Sequence, residues 1–273
     1  MTFIWTSPFT TGDLGLVSHI AELGFDAIEV ALEEPDLLDP AALREAAAAT
    51  TLDVVIVGAC THRRDTSSPD AIVRRAGIDY AKRCVDVAAA AGAPVVAGPL
   101  NHATNCARML PPEERGAELR RAVDGVREAA EYAGERGVAL AIEPLNRWET
   151  DMLNTVEQGL AFCDAVGLPN VGLLLDTFHE NIEEKAIGDA IRSAGDRAFH
   201  VHGSENDRGV PGSGHVPWEE VADALRDVDY DGVVSMESFA PSMDADCFLW
   251  RRPFDDPDTF ASEGLAHLRS TFG

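Results

Sequence analysis

The chain has 273 residues, 45% hydrophobic and 25% charged, which is enough to bury a large core and falls in the usual span of one α/β domain. Its 47 acidic residues outnumber 22 basic ones, for a net charge of −25, and the only lysines are Lys82 and Lys185. A field of that sign repels phosphate backbones and anionic membranes, so neither nucleic acid nor a membrane surface is expected as a partner. Apolar runs such as Val54–Val57 are strand-sized, too short to span a bilayer. The start, Met-Thr-Phe-Ile-Trp, lacks the basic and apolar regions of a signal peptide, and a cytoplasmic protein is the expectation. Five scattered cysteines (Cys60, Cys84, Cys106, Cys163 and Cys247) form no CxxC pair, which argues against a disulfide framework or zinc knuckle.

Short apolar or β-branched runs recur in chain order at Phe3–Thr6, Ala27–Ala31, Leu52–Val57, Pro94–Ala97, Val138–Ile142, Val171–Leu175, Ala198–Val201 and Gly232–Met236. Helical patterns lie between them, clearest at Ser68–Ala91, Pro112–Arg136, Thr155–Val166 and Pro217–Asp227. Gly24, Gly92, Gly137, Gly167 and Gly232 stand where a helix stops before the next strand. Eight strand–helix units predict a parallel sheet closed into a (β/α)8 TIM barrel, a single domain over residues 1–273. The alternative, a doubly wound open sheet, wants a Gly-rich first turn, and Gly12-Asp-Leu-Gly15 fits no dinucleotide pattern.

In such a barrel the chemistry gathers where strands end. Glu143 follows Leu140-Ala-Ile, Asp176 follows Leu173-Leu-Leu, His202 follows His200-Val, and Glu237 follows Val234-Ser-Met. One charged residue at a strand end is as readily a helix cap as a ligand. Four in succession, closing the predicted fifth to eighth strands, point to one divalent metal. A set of three carboxylates and one imidazole, with no thiolate, suits Mn²⁺, Mg²⁺ or Co²⁺ better than structural zinc; Mn²⁺ is the first expectation, ahead of Co²⁺ or Mg²⁺. His179 lies on the loop after Asp176 and is read as a substrate contact. His200, two residues before His202, points the same way one layer deeper, as core or as support for the ligand. The stretch Gly209–Trp218 lacks a phosphate-cradle pattern and is read as a shaped loop presenting Arg208, before Pro217 and Trp218 open a helix.

The segments Ile142-Glu-Pro-Leu-Asn-Arg-Trp-Glu149, Leu175-Asp-Thr-Phe-His-Glu-Asn-Ile-Glu-Glu184, His200-Val-His-Gly-Ser-Glu-Asn-Asp-Arg208 and Met236-Glu-Ser-Phe239 resemble the sugar phosphate isomerase/epimerase superfamily of xylose isomerase-like barrels. Within it the chain is similar to the ketose 3-epimerases of the D-tagatose and D-psicose (allulose) type. The resemblance runs from Leu23-Gly-Phe-Asp-Ala-Ile-Glu29 to the last strand. It implies the metal ligands Glu143, Asp176, His202 and Glu237, with Glu143 and Glu237 doubling as catalytic acid and base. It also implies substrate contacts from Glu149, His179 and Arg208. The chain departs from the family at Phe3-Ile-Trp-Thr-Ser-Pro, at Gly98-Pro-Leu-Asn-His-Ala-Thr-Asn, and at Ser238, where relatives often carry proline.

The implied reaction is inversion at C3 of a free ketose (D-tagatose, D-psicose, D-fructose or L-ribulose type) through a cis-enediolate, one glutamate on each face of the sugar. A homodimer or homotetramer is expected. An aldose–ketose or hydroxypyruvate-type isomerase, or an inosose or dehydroshikimate dehydratase, would use the same barrel. An endonuclease IV-like repair protein would need more histidines and a basic groove, which a charge of −25 opposes. A non-catalytic sugar-binding barrel would have no use for two proton-transfer glutamates.

The acidic, lysine-poor composition reads as adaptation to a salt-rich cytoplasm, where screening relieves self-repulsion. The melting temperature should therefore rise steeply as salt goes from roughly 0.1 M to several molar. A flat profile across that range would leave an ordinary acidic protein.

Overall fold

The computed structural model describes residues 1–240 and 251–273; Cys247 lies outside the described residues. Seven parallel strands form one sheet in chain order: β1 (Ala27–Ala31), β2 (Asp53–Val57), β3 (Val95–Gly98), β4 (Ala139–Ile142), β5 (Val171–Asp176), β6 (Ala198–His202) and β7 (Val234–Ser235). Helices α1 (Gly15–Glu22), α2 (Pro40–Thr50), α3 (Ala71–Ala91), α4 (Pro112–Gly134), α5 (Val156–Val166), α6 (Thr177–Glu183), α7 (Ile187–Ala194), α8 (Trp218–Asp227) and α9 (Pro257–Phe272) fill the connections. This is the alternation the sequence predicts, and the sheet curls into a near-closed TIM barrel.

One predicted strand differs. Thr2–Ile4 forms a 3₁₀ turn, in which the Trp5 and Thr6 amides both donate to the Thr2 carbonyl. A run that short, stopped by Pro8, carries no periodicity with which to tell a strand from a turn. The segment still occupies the gap between β7 and β1. The Met1 ammonium donates to the Met236 carbonyl at 3.1 Å, the Ala31 amide to Thr2 Oγ1 at 3.0 Å, and the Ala240 amide to the Phe3 carbonyl at 2.7 Å. The edges of a seven-stranded sheet are thus covered by turn backbone rather than by an eighth strand.

Strand residues alternate between two apolar layers. Val30, Ile56, Val96, Leu140, Ile142, Leu173, Leu175 and Val201 point outward and pack beneath the helices, each buried side chain stabilising the fold by roughly 1.5–3 kcal/mol. Ala31, Val55, Val57, Val95, Ala97, Ala141 and Leu174 point into the barrel. Most of these inner residues are small. The inner phase continues upward to Glu143, Asp176 and His202, so the strand periodicity itself aims the polar residues at one point. A register shift between β5 and β6, at Leu173/Leu174, pairs Leu174 with His200 and Asp176 with His202.

Helix ends follow the predicted chemistry closely. Asp70 caps α3 through the Ile72 amide, and Thr155 caps α5 through the Gln158 amide. Gly92 (φ 85°) and Gly167 (φ 74°) close α3 and α5 in the left-handed conformation. Gly232 does not play that part: α8 ends at Asp227, and Asp229 (φ 52°) takes the left-handed turn. Cys60, Cys84 and Cys163 are buried free thiols, and burial pushes the first two up to about 12.

Candidate active site

Glu143, Asp176, His202 and Glu237 come off the ends of β4 to β7, and all are buried. One donor atom from each lies within 4.8 Å of the others. They follow the fourth to seventh strands rather than the fifth to eighth, because the first predicted strand is a turn. Asp176 is both a helix cap and a member of this group. Its Oδ1 accepts from the Phe178 amide at 2.8 Å, while Oδ2 turns into the barrel.

Arg208 enters from the loop after β6, in left-handed backbone (φ 62°), with its carbonyl held by Ser238 Oγ at 2.7 Å. Its guanidinium stacks 4.0 Å from the Phe178 ring, and one nitrogen reaches Asp176 Oδ2 at 2.8 Å and Glu237 Oε2 at 2.7 Å. The residue is thus tied to two of the four clustered groups, closer in than a rim contact. Three buried carboxylates against one guanidinium leave two negative charges. Burial, then the neighbouring charge of Glu237, raises the Glu143 pKa well above the ordinary range. Burial opposes ionisation of Glu237 too, but Arg208 and His202 hold it well below.

A divalent cation fits this donor set on two grounds. Its charge cancels the two that Arg208 leaves, and His202 Nδ1 is a buried nitrogen with no hydrogen-bond partner. The other His202 nitrogen, Nε2, meets Glu29 Oε1 at 3.0 Å. Two further donor groups occur among the described residues. Glu29, His200 and His202 lie one layer deeper. His102, Glu118 and Asp151 already surround the Arg108 guanidinium, at 2.8–3.3 Å.

His179 sits on α6 with Nε2 3.6 Å from Glu143 and 3.7 Å from Asp176. Its Nδ1 accepts from the Asn146 amide at 3.1 Å, and a backbone N–H only donates, so the neutral ring carries its proton on Nε2. Burial lowers its pKa, with Glu149 and Asp176 working against that. An Arg208 nitrogen stands 3.4 Å from that Nε2. Two donors side by side suit one acceptor oxygen such as a sugar hydroxyl or carbonyl. Glu149, half-buried, is held by Asn146 Nδ2 at 2.7 Å.

All seven residues singled out from the sequence meet here, and His200 lies below them with Nε2 2.6 Å from Glu29. Sequence reasoning missed Glu29, Asn146 and Glu205. Glu29 had a signal: a charge in the middle of the apolar run Ala27-Ile-Glu-Val-Ala31. Glu205 accepts from the amides of Asn206, Gly212 and Val216 and from Trp218 Nε1, at 2.8–3.1 Å. The Gly209–Trp218 loop is therefore shaped around a buried carboxylate. A cavity of about 1180 Å³ opens at the opposite end of the barrel, among Phe25, Asp53, Phe199 and Phe272, and reaches Glu29 and His200 but none of the four clustered residues. The cluster rather than the cavity marks the chemistry.

A parallel barrel with carboxylates and an imidazole converging at its strand ends is the frame of an enzyme built for polar small molecules. Residues 17–271 match the xylose isomerase-like TIM barrel family, and the chain belongs to it. It is 37% identical over 241 residues to a D-psicose 3-epimerase of Agrobacterium fabrum, covering 86% of this chain and 83% of that one. A solved L-ribulose 3-epimerase superposes with a TM-score of 0.93 at 30% identity, covering 99% of this chain and 92% of that one. A D-allulose 3-epimerase from Methylomonas sp., solved with D-allulose, gives 0.92 at 29% identity, covering 99% and 95%. No helix among the described residues is long and apolar enough to cross a membrane.

Glu180, beside His179 on α6, is buried with neither carboxyl oxygen hydrogen-bonded among the described residues. Burial, then Asp176 and Glu184, raises its pKa well above 4.5. A raised folded-state pKa leaves its stability contribution intact below the unfolded value, and that contribution fades as pH rises toward the folded one. Glu180→Gln should match the parent near pH 4.5 and pull ahead by up to about 1.4 kcal/mol per pH unit above it. Denaturant unfolding from pH 5 to 8 measures this; parallel curves would mean Glu180 ionises freely.

Proposed function

We propose that the chain inverts C3 of a free ketose, of the psicose, tagatose, fructose or ribulose type. Glu143 and Glu237 act as the two acid/bases, and Glu143, Asp176, His202 and Glu237 hold one divalent metal, Mn²⁺ before Co²⁺ or Mg²⁺. The observation that carries the reading is the convergence of two buried glutamates from non-adjacent strands β4 and β7 on one charge cluster. The relatives' 3-epimerase activities support it.

When bound, the cation would polarise the sugar carbonyl and make the adjacent C3 proton acidic. One glutamate takes that proton, leaving a planar cis-enediolate. The other glutamate, reaching the opposite face, returns a proton with inverted configuration. His179 Nε2–H and Arg208 donate to sugar oxygens, and Glu149 accepts from a hydroxyl. No phosphate cradle is evident among the described residues and the protein's field is negative, so phosphorylated sugars should react poorly.

Replacing either glutamate with alanine would confound metal loss with base loss. Glu143→Gln and Glu237→Gln each keep an oxygen toward the metal while removing a proton acceptor. With metal content verified, each variant should nearly lose epimerisation yet still exchange deuterium from heavy water into C3. Each should exchange one epimer only, and the two variants should choose opposite epimers. Exchange into both epimers by one variant, or exchange at C1, would favour a single-base aldose–ketose isomerase instead.

A further inference from the structure

Glu29 is 2% exposed, and its hydrogen-bond partners among the described residues are two imidazoles. Both meet the same oxygen: His200 Nε2 lies 2.6 Å and His202 Nε2 3.0 Å from Oε1. The two rings stand nearly perpendicular, at 84° with centroids 5.3 Å apart, so both nitrogens reach that oxygen without stacking. A carboxylate only accepts, so each ring must present an N–H at Nε2.

That requirement decides what His202 offers on its other side. A neutral imidazole carries one proton, and with it on Nε2 the lone pair is on Nδ1. His202 Nδ1 is the buried nitrogen without a hydrogen bond, 3.4 Å from Glu237 and 3.9 Å from Asp176. Without Glu29 the nearest acceptors to the ring would be those two carboxylates, on the Nδ1 side. They would favour the tautomer whose proton sits where a cation must bind.

We propose that Glu29 is a positioning residue for the metal centre, holding His202 in the tautomer and orientation that turn the Nδ1 lone pair toward the cation. His200, the second donor to the same oxygen, fixes Glu29 in place. This rests on the reading of Glu143, Asp176, His202 and Glu237 as the metal site. Glu29 is not one of the four residues read as ligands, and it meets that group only through His202 Nε2. Its loss therefore acts through His202, on cation affinity.

The test is calorimetric titration of Mn²⁺ into the metal-stripped full-length protein and into Glu29→Leu, which leaves neither imidazole an acceptor oxygen. Glu29→Leu should bind Mn²⁺ about 10–100-fold more weakly. Its activity curve should shift to higher Mn²⁺ by the same factor, whereas a merely structural role would lower the melting temperature and leave the dissociation constant alone. Glu29→Gln, whose remaining amide oxygen can still accept from both rings at the Oε1 position, should recover most of that loss. Unchanged affinity in a folded Glu29→Leu would overturn the positioning role and leave the metal site standing. Failure of the unsubstituted protein to bind Mn²⁺ would overturn the metal reading itself. Should Glu29→Leu not fold, Glu29→Asp, which retains the charge but withdraws the oxygen by a methylene, is judged by the same comparison.

Discussion

Three carboxylates buried within 4.8 Å of one another set the terms for everything around them. At that spacing each like-charged pair repels by roughly 3–4 kcal/mol at the effective dielectric of a protein interior. Arg208 offsets one charge through paired contacts of 2.8 Å to Asp176 and 2.7 Å to Glu237. Removing one partner of a buried charge pair leaves an uncompensated ion, so the guanidinium is itself pinned, between the Phe178 ring and the two acids. The remaining imbalance is one that a divalent cation would correct. In its absence a proton on Glu143 does part of the work, in keeping with that residue's raised pKa.

The fold supplies this crowding with ordinary parts. Small inward residues in β2, β3 and β4 leave the barrel axis uncluttered, and the same two-residue period that aims Ala139 and Ala141 inward aims Glu143. Asp176 spends one oxygen on the first turn of α6 and so cannot swing away from the site with the other. The α6 helix in turn carries His179, whose tautomer is fixed by the Asn146 backbone on the loop after β4. Backbone donors, caps and strand phase therefore set the orientation of nearly every polar atom in the cluster before any ligand arrives.

Much of this is legible in the sequence because period-2 strands and glycine-terminated helices leave strong local marks. The four strand-end residues could be read in order because each closes a short run that is mostly apolar. The first segment could not, since Phe3–Thr6 is too short for periodicity to separate a strand from the 3₁₀ turn at Thr2–Ile4. Glu205 left no local mark, and the charge of Glu29 inside an apolar run gave its position but not its role. Their partners lie across the barrel or across a loop, and no local pattern announces a buried carboxylate that accepts from His200 and His202 or from a ring of amides. The resemblance to the 3-epimerases named Glu149, His179 and Arg208. That Arg208 binds two of the clustered carboxylates, rather than standing at a rim, is a fact of three-dimensional packing.

The most direct measurement is anomalous diffraction from crystals grown with Mn²⁺. A single peak is expected among Glu143, Asp176, Glu237 and His202, with His202 contributing Nδ1 and its Nε2 still on Glu29. A peak instead between Glu29 and His200, or beside His102, Glu118 and Asp151, or ligation through His202 Nε2, would contradict the metal centre described here.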